Sequence, residues 1–290
     1  MPLGHDASCS YAGGYNRMNE LPSLYRDVLS AEVACDQATQ EDAFRLRYQV
    51  YCLERGFEDA SAFPEAMETD PHDTYARHFV VRSRDAGLTL GASRLVLDSP
   101  PGVGLPIETH GSRSVTRHIE RVRSRESTKL AEVSRLAVTR CLPTLIDQRA
   151  VAPAPVPFSE SRDCCCLQEG PTVPRLPIRS HHVSMGLLAL QFQQSWSDDV
   201  THWVALLDQG LLRFLKRVGI HCQPIGPVLA HRGSRQPVMG VVSDVWSGVR
   251  KEGVALARLV EQLGDQVATV QAGIGSAGAM GELREASEPG

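Results

Sequence analysis

The sequence predicts an α/β fold with one central mixed sheet and helices on both faces, and three observations carry that expectation. Segments of apolar alternation at 78–85, 89–98, 130–140 and 201–208 read as strands. Stretches of helical periodicity at 39–57, 183–196, 210–220 and 244–267 fall between or after them. The interleaving of the two kinds is the pattern of a layered α/β domain.

Residues 1–30 read as a loose leader with a helical turn around LPSLYRDVL. AEVACD (31–36) alternates like a short strand. In TQEDAFRLRYQVYCLERGF, Phe44, Tyr48, Tyr51 and Cys52 fall at helical spacing, with Thr39 as N-cap, Asp42 three residues on and Gly56 as stop. HFVVRSRD and LTLGASRLVLD, joined by Asp85-Ala86-Gly87, form a hairpin. LAEVSRLAVTR (130–140) is the next strand. Residues 141–182 hold seven prolines and the triplet Cys164-Cys165-Cys166, the composition of an insertion loop without its own core.

VSMGLLALQFQQSW (183–196) is a helix, THWVALLD (201–208) a buried strand, and GLLRFLKRVGI (210–220) a helix closing at Gly219. QPIGPVLAHRG (223–233) reads as the last strand region. An amphipathic C-terminal helix is expected within 241–267, and a disordered tail over 268–290. The main domain therefore spans 31–240, and no internal repeat is found.

Composition narrows the function classes. Hydrophobic residues make up 42% and charged residues 22% of 290, which suits a globular protein with a core. The net charge of −4 gives no general basis for nucleic-acid binding. No apolar run approaches the ~20 residues of a membrane span, and an apolar signal region is missing from the N-terminus, so a cytoplasmic protein is expected. None of the eight cysteines forms a CxxC pair. Three adjacent thiols cannot all face one tetrahedral ion, and the pairs His181-His182 and Asp198-Asp199 lack a shared face, so no metal site is expected.

Charge placement is more informative. Glu68, Asp70 and Asp73 crowd into six positions ahead of a buried strand. Arg47 lies on the first helix, Arg94 inside the hairpin, and Glu132 and Arg135 interrupt an apolar strand. In a regular strand, residues three apart point to opposite faces, so Glu132 and Arg135 should diverge. An unpaired buried charge costs several kcal/mol, and the acidic loop is the natural source of partners for the arginines. Surface ion pairs worth about 0–1 kcal/mol each are the competing reading of the same pattern.

The order Arg47-x3-Tyr51-x5-Phe57, Glu68-x-Asp70-x2-Asp73, Arg94, Glu132-x2-Arg135 resembles the acyl-homoserine-lactone synthases, members of the GNAT superfamily of N-acyltransferases. Tyr51 and Phe57 stand where that family usually has Phe and Trp, which implies a pocket of different shape. Across about residues 31–250, the phrases FRLRYQVYCLERGFE, EVSRLAV, HVSMGLLAL, THWVALLDQGLLRFLKRVGI and IGPVLAHRGSRQPV resemble the acyltransferases associated with PEP-CTERM/exosortase systems. That group is similar to both the lactone synthases and the long-chain N-acyl amino acid synthases.

The resemblance implies a GNAT fold whose parallel strands, here 130–138 and 201–207, splay apart. A thioester carbonyl would bond a free backbone N–H in the splay. It further implies Glu132 as first candidate for general base, Glu68 as second, and Arg135 beside them. Arg47, Asp70, Asp73 and Arg94 would form the acceptor-site charge cluster, with Tyr51 and Phe57 as pocket aromatics. The usual phosphate loop of the donor site is not cleanly present; Arg179, Ser184 and Gly186 are its nearest substitutes.

The implied donor is an acyl-carrier protein or acyl-CoA, with no permanently bound cofactor, and the implied acceptor a small amine. Residues 111–129 hold six Arg/Lys against two Glu, a local charge of +4 that could meet an acidic carrier protein. Three functions share these features: an N-acyltransferase acting on an amino-acid-like amine, an acyl-homoserine-lactone synthase using S-adenosylmethionine, and a non-catalytic GNAT-like module that senses acyl donors.

Overall fold

The computed structural model describes residues 21–98, 103–140, 142 and 178–264. The cysteine triplet and the expected tail at 268–290 lie outside them. Within them, eight strands form one mixed sheet. Its order is β1 (Leu29–Val33), β2 (Ala76–Ser83), β3 (Thr89–Leu97), β4 (Leu130–Val138), β5 (His202–Asp208), β8 (Ser234–Val241) and β6 (Gln223–Pro224), with β7 (Leu229–Ala230) also on β8. Every pairing is antiparallel except β4 with β5.

Strand alternation divides the core in two. Phe79, Val81, Leu95, Ala131, Trp203, Ala205 and Val238 pack on one face. Against them lie α1 (Leu21–Asp27), α5 (Ser180–Ser197), α6 (Gln209–Arg217), α7 (Val242–Glu252) and a helical run, α8, at 254–264. The other face carries Val80, Ala92, Val96, Leu130, Ala137 and Val204. It is covered by α2 (Gln37–Tyr48), α3 (Pro106–His110) and α4 (Arg113–Arg123). Helices on both faces of a mixed sheet confirm the fold class expected from the sequence.

Several boundaries move. Residues 21–30 are not a leader, because Leu21, Leu24, Tyr25 and Leu29 are buried in the main core and β1 pairs with β2. The first helix starts earlier, since Asp36 rather than Thr39 is the N-cap, its carboxylate accepting from the Thr39 N–H at 2.9 Å. That helix gives way at Gln49 to a π-helical turn, Gln49–Glu54, which holds Tyr51. Gly253 breaks the expected C-terminal helix into α7 and α8. The principal last strand is β8, beyond the segment read as strand, and it carries Pro237 within its run. The basic stretch at 111–129 contains α4, held by Val115, Ile119 and Val122 at helical spacing.

Candidate active site

The site begins at a bulge in β4. Ala92 pairs with Ala137 and Arg94 with Ser134, so Arg135 and Leu136 together oppose the single residue Ser93. Arg135 adopts φ +54°, the left-handed conformation typical of such an insertion. A bulge bends its strand, and β4 pairs with β5 only through Leu130–Glu132 opposite His202–Val204. Beyond Glu132 the two parallel strands part, and the backbone of β4 faces β5 without pairing to it.

The bulge also corrects an expectation. Glu132 and Arg135 should point to opposite faces of a regular strand, yet both serve the α2–α3 face. Glu132 accepts from the Ile107 N–H in the first turn of α3 at 2.6 Å. Arg135 reaches Glu68 and Asp70, in the loop beside α2. The extra residue resets the alternation, so the Arg135 side chain joins the side on which Arg94 and Ser134 bond each other at 3.1 Å.

There the three arginines meet the acidic loop. Arg47 Nε donates to Glu68 at 2.5 Å, and its other two nitrogens grip both oxygens of Asp73 at 2.7 and 3.1 Å. Arg94 Nη1 is shared between Asp70 at 2.7 Å and Asp73 at 2.6 Å. Arg135 closes the ring onto Glu68 Oε1 at 3.1 Å and Asp70 at 3.0 Å. The loop is itself prepared for this: Pro71–Tyr75 is a short 3₁₀ helix with a reciprocal cap between Asp70 and Asp73. Burial opposes ionisation of Asp73 and Asp70, but the Arg47 and Arg94 charges hold Asp73 well below the usual carboxylate range, and the Arg94 bond and charge lower Asp70.

Glu132 stands outside that ring. It is fully buried, its one hydrogen bond among the described residues is from a backbone amide, and burial pushes it up to about 7 against the Ile107 bond and the Arg94 and Arg135 charges. A carboxyl tuned to about neutral pH can take a proton from an ammonium group, which Glu68, Asp70 and Asp73, locked in ion pairs, are poorly placed to do.

Glu132 and the bulge line a cavity of about 330 Å³ that passes through the splay. On the α3 side its wall is polar, with Tyr51, Arg55, Phe57, His72, His110, His231, Arg232 and Arg235. On the α5 side it is apolar, with Leu136, Leu188, Leu207, Leu211 and Leu215. Tyr51 and Phe57 stack at 6.4 Å, and the His110 and His231 rings stack at 4.2 Å. Arg232 pairs with Glu58, and Arg235 with Asp208 at 2.9 Å.

Of the residues singled out in the sequence, Glu132, Arg135, Asp70, Tyr51 and Phe57 line this cavity. Arg47, Asp73 and Arg94 sit behind it as the ring that holds the loop, and Glu68 is buried between Arg47 and Arg135 rather than at the cavity wall. Arg179, Ser184 and Gly186 are not among the lining residues. Gly186 has a packing reason: a Cβ there would overlap the Tyr25 hydroxyl, which donates to the His182 carbonyl at 2.9 Å. Ser184 donates back to the Ser180 carbonyl. His110, His231, Arg232 and Arg235 were missed, since no motif or periodicity marks them; only the basic cluster AHRGSR hinted at the last three.

The metal readings find other uses. Asp198 bonds Arg77 and Gln194, Asp199 pairs with Lys129, and His181 stacks edge-on against His182. Among the described residues no group of three His, Cys, Asp or Glu could hold a metal ion, and no helix is long and apolar enough to cross a membrane.

Residues 46–141 match the model of the acetyltransferase (GNAT) domain. No curated protein matches the chain. Among solved structures, FeeM, an N-acyl amino acid synthase from uncultured soil microbes, is 15% identical, with 76% of this chain and 94% of that chain covered at a TM-score of 0.47. The acyl-homoserine-lactone synthase LasI is 16% identical, with 76% and 96% covered at 0.43. MesI, a CoA-dependent acyl-homoserine lactone synthase, is 16% identical, with 85% and 92% covered at 0.42. The domain match, on a mixed sheet opened between its two parallel strands, gives this chain a GNAT-type fold and supports an acyltransferase enzyme.

Proposed function

We propose that the protein is an N-acyltransferase that moves a long acyl group from an acyl-carrier-protein or acyl-CoA thioester to the amine of an amino-acid-like acceptor. The observation that carries this reading is Glu132, a solitary buried carboxyl near neutral pKa on the wall of a cavity through the strand splay. The leucine-lined side suits an acyl chain, and the side with His110, His231 and Arg232 suits an acceptor bearing a carboxylate.

In this reading Glu132 takes a proton from the acceptor ammonium, and the neutral amine attacks the thioester carbon. The C–N bond forms as the carbonyl π electrons move to oxygen, where a backbone N–H of β4 beyond its pairing with β5 stabilises the oxyanion. Collapse breaks the C–S bond, the departing thiolate takes up the second proton that the attacking nitrogen sheds as it becomes the amide, and Glu132 returns the first to solvent. Arg135, fixed by Glu68 and Asp70, keeps the bulge in shape and orients the acceptor's polar end.

Two further features support the donor and its setting. Arg113, Arg117 and Arg121 lie four residues apart on exposed positions of α4, forming a basic stripe that starts beside His110 at the cavity. Among the described residues their side chains form no ion pair, and such a stripe fits the acidic surface of a carrier protein. The phrases that resemble the PEP-CTERM/exosortase-associated acyltransferases imply a cytoplasmic enzyme serving surface-protein sorting or exopolysaccharide biology.

The test incubates the purified full chain with acyl-carrier-protein and acyl-CoA thioesters of graded length and with mixed amino acids, then identifies products by mass spectrometry. An N-acyl amino acid is the expected product. A homoserine lactone formed from S-adenosylmethionine would overturn the acceptor assignment, and absence of product with every donor would overturn acyl transfer.

A further inference from the structure

The polar side of the cavity holds positive charge that its own carboxylates do not answer. Arg135 is engaged by Glu68 and Asp70, Arg232 by Glu58, and Arg235 by Asp208. Arg55, whose guanidinium lies 5.8 Å from the centre of the Phe57 ring, has no ion pair among the described residues. Across from it on the same lining, His110 and His231 stack at 4.2 Å, and neither ring has a hydrogen-bond or ion-pair partner among the described residues.

Backbone structure sets both rings in place. His110 ends α3, and the Gly111 N–H after it donates to the Ile107 carbonyl at 2.7 Å. His231 opens the tight turn between β7 and β8, where its N–H donates to the Gly233 carbonyl at 2.8 Å. Two imidazoles this close resist being charged together, and their surroundings oppose even one charge. Burial, then Arg135 and His72, lowers His110 below the usual imidazole range against the pull of Asp70; burial, then His110, Arg235 and Arg135, lowers His231. The carboxylate on His110's own helix, Glu108, is taken by Arg123, and Arg113 opens the next helix three residues on. An anion brought beside the rings reverses that balance, and one of them then gains a proton.

Spacing indicates which anion that is. In the proposed function Glu132 receives the acceptor's ammonium group and Arg135 its polar end, both at the bulged strand. Glu132 bonds Ile107, and His110 follows Ile107 by three residues on the same helical face, about 4.5 Å further along α3. A short amino-acid side chain spans that separation. We infer that the acceptor is an α-amino acid with an anionic side chain, and that the His110–His231 pair binds this anion while taking one proton from solvent. The inference deepens the proposed function and rests on its assignment of the polar side to the acceptor. One imidazole becomes the imidazolium and donates to the anion, its neighbour stays neutral, and no other bond changes.

The experiment measures binding without turnover. Glutamate and glutamine, aspartate and asparagine, and O-phosphoserine and serine are titrated calorimetrically into the full protein, with and without a thioether analogue of acyl-pantetheine. Each pair compares an acidic side chain with a neutral counterpart, and two buffers of different ionisation enthalpy count the protons taken up. In at least one pair the acidic member should bind about tenfold more tightly at pH 6.5 and take up a proton. The ratio should fall as pH rises to 8.5, where the imidazoles no longer hold the proton. In the double variant His110→Asn/His231→Asn the ratio should drop to about one and the uptake should vanish. Equal affinities within all three pairs, or an acidic preference without proton uptake, would overturn the inference in the wild-type protein alone, whether or not the variant folds. An acidic preference in a protein that forms no acylated product sinks only the proposed reaction. Acyl transfer to amino acids with equal affinities within each pair sinks only the assignment of His110 and His231.

Discussion

Asp70 and Asp73 on one side and Glu132 on the other are carboxyl groups withdrawn from water in adjoining parts of the same face, yet their surroundings drive them in opposite directions. The two aspartates share three arginines with Glu68, and their carboxyls are held below their ordinary range. Glu132 has, among the described residues, a single backbone donor and rises to about 7. Burial acts to raise Asp70, Asp73 and Glu132 alike, and a facing guanidinium decides whether the rise survives. One sheet face thereby holds both a fixed scaffold and a group free to exchange a proton.

The sharpest way to break this contrast is Glu132→Gln. Loss of the general base should lower kcat/KM by about 10²–10⁴-fold with the fold retained. The wild-type rate should rise with pH around a midpoint near 7, because only the deprotonated form accepts a proton. Stability should run the other way. A carboxyl whose folded pKa is raised holds its proton more tightly in the native state, so stability is lost as pH rises from its unfolded value, about 4.5, through about 7. That loss is on the order of 3 kcal/mol, and the Gln variant should escape it. Urea melts at pH 5.5 and pH 8 check this; a variant that loses activity and is also less stable than wild type at pH 8 would return Glu132 to a structural role.

Arg94→Ala tests the other half. It removes one nitrogen shared by two aspartates and leaves a buried anionic cluster short of a cation, which should cost about 3–5 kcal/mol of stability. A loss below about 1 kcal/mol, measured by chemical denaturation, would reduce the ring to ordinary surface pairing. Asp70 and Asp73, with depressed native values, stabilise the fold above their unfolded values near 4, and that stabilisation disappears as pH falls through the native ones. Wild type should therefore lose stability in acid more steeply than Arg94→Ala.

The two halves also differ in how well the sequence announces them. The arginines and the acidic loop stand out because charges within apolar alternation are conspicuous and their spacing matches a known motif. The hairpin, β5 and α5 were legible through periodicity within each segment. What local pattern could not reveal was register. The bulge at Arg135 exists only in the pairing of β3 with β4, and without it Glu132 and Arg135 belong on opposite faces. The same limit hid β8, whose membership of the sheet depends on distant partners, while β1, read at 31–36, lies two residues earlier at Leu29–Val33. By contrast, α4 was readable in retrospect: Val115, Ile119 and Val122 keep helical spacing beneath the arginines that drew attention away from them. His110 and His231 come from separate segments, and only the fold stacks them.

Asp70 joins the two halves, and its substitution should give the smallest and most discriminating effect. It belongs to the ring through Arg94 and Arg135, yet it also lines the cavity, and its charge is among the influences that raise the Glu132 pKa. Asp70→Asn keeps the shape and removes the charge. Two consequences for Glu132 then share one sign: a nearby anion is lost, and Arg94 and Arg135 are less neutralised, so their positive charge acts more strongly on it. Both favour the ionised form, so the midpoint of the pH–rate profile should move to lower pH, by less than about one unit. A shift to higher pH would mean that Asp70 acts on Glu132 by placing Arg135 rather than through its own charge. An unchanged midpoint with reduced stability would confine Asp70 to the ring and leave Glu132 electrostatically independent of the loop beside it.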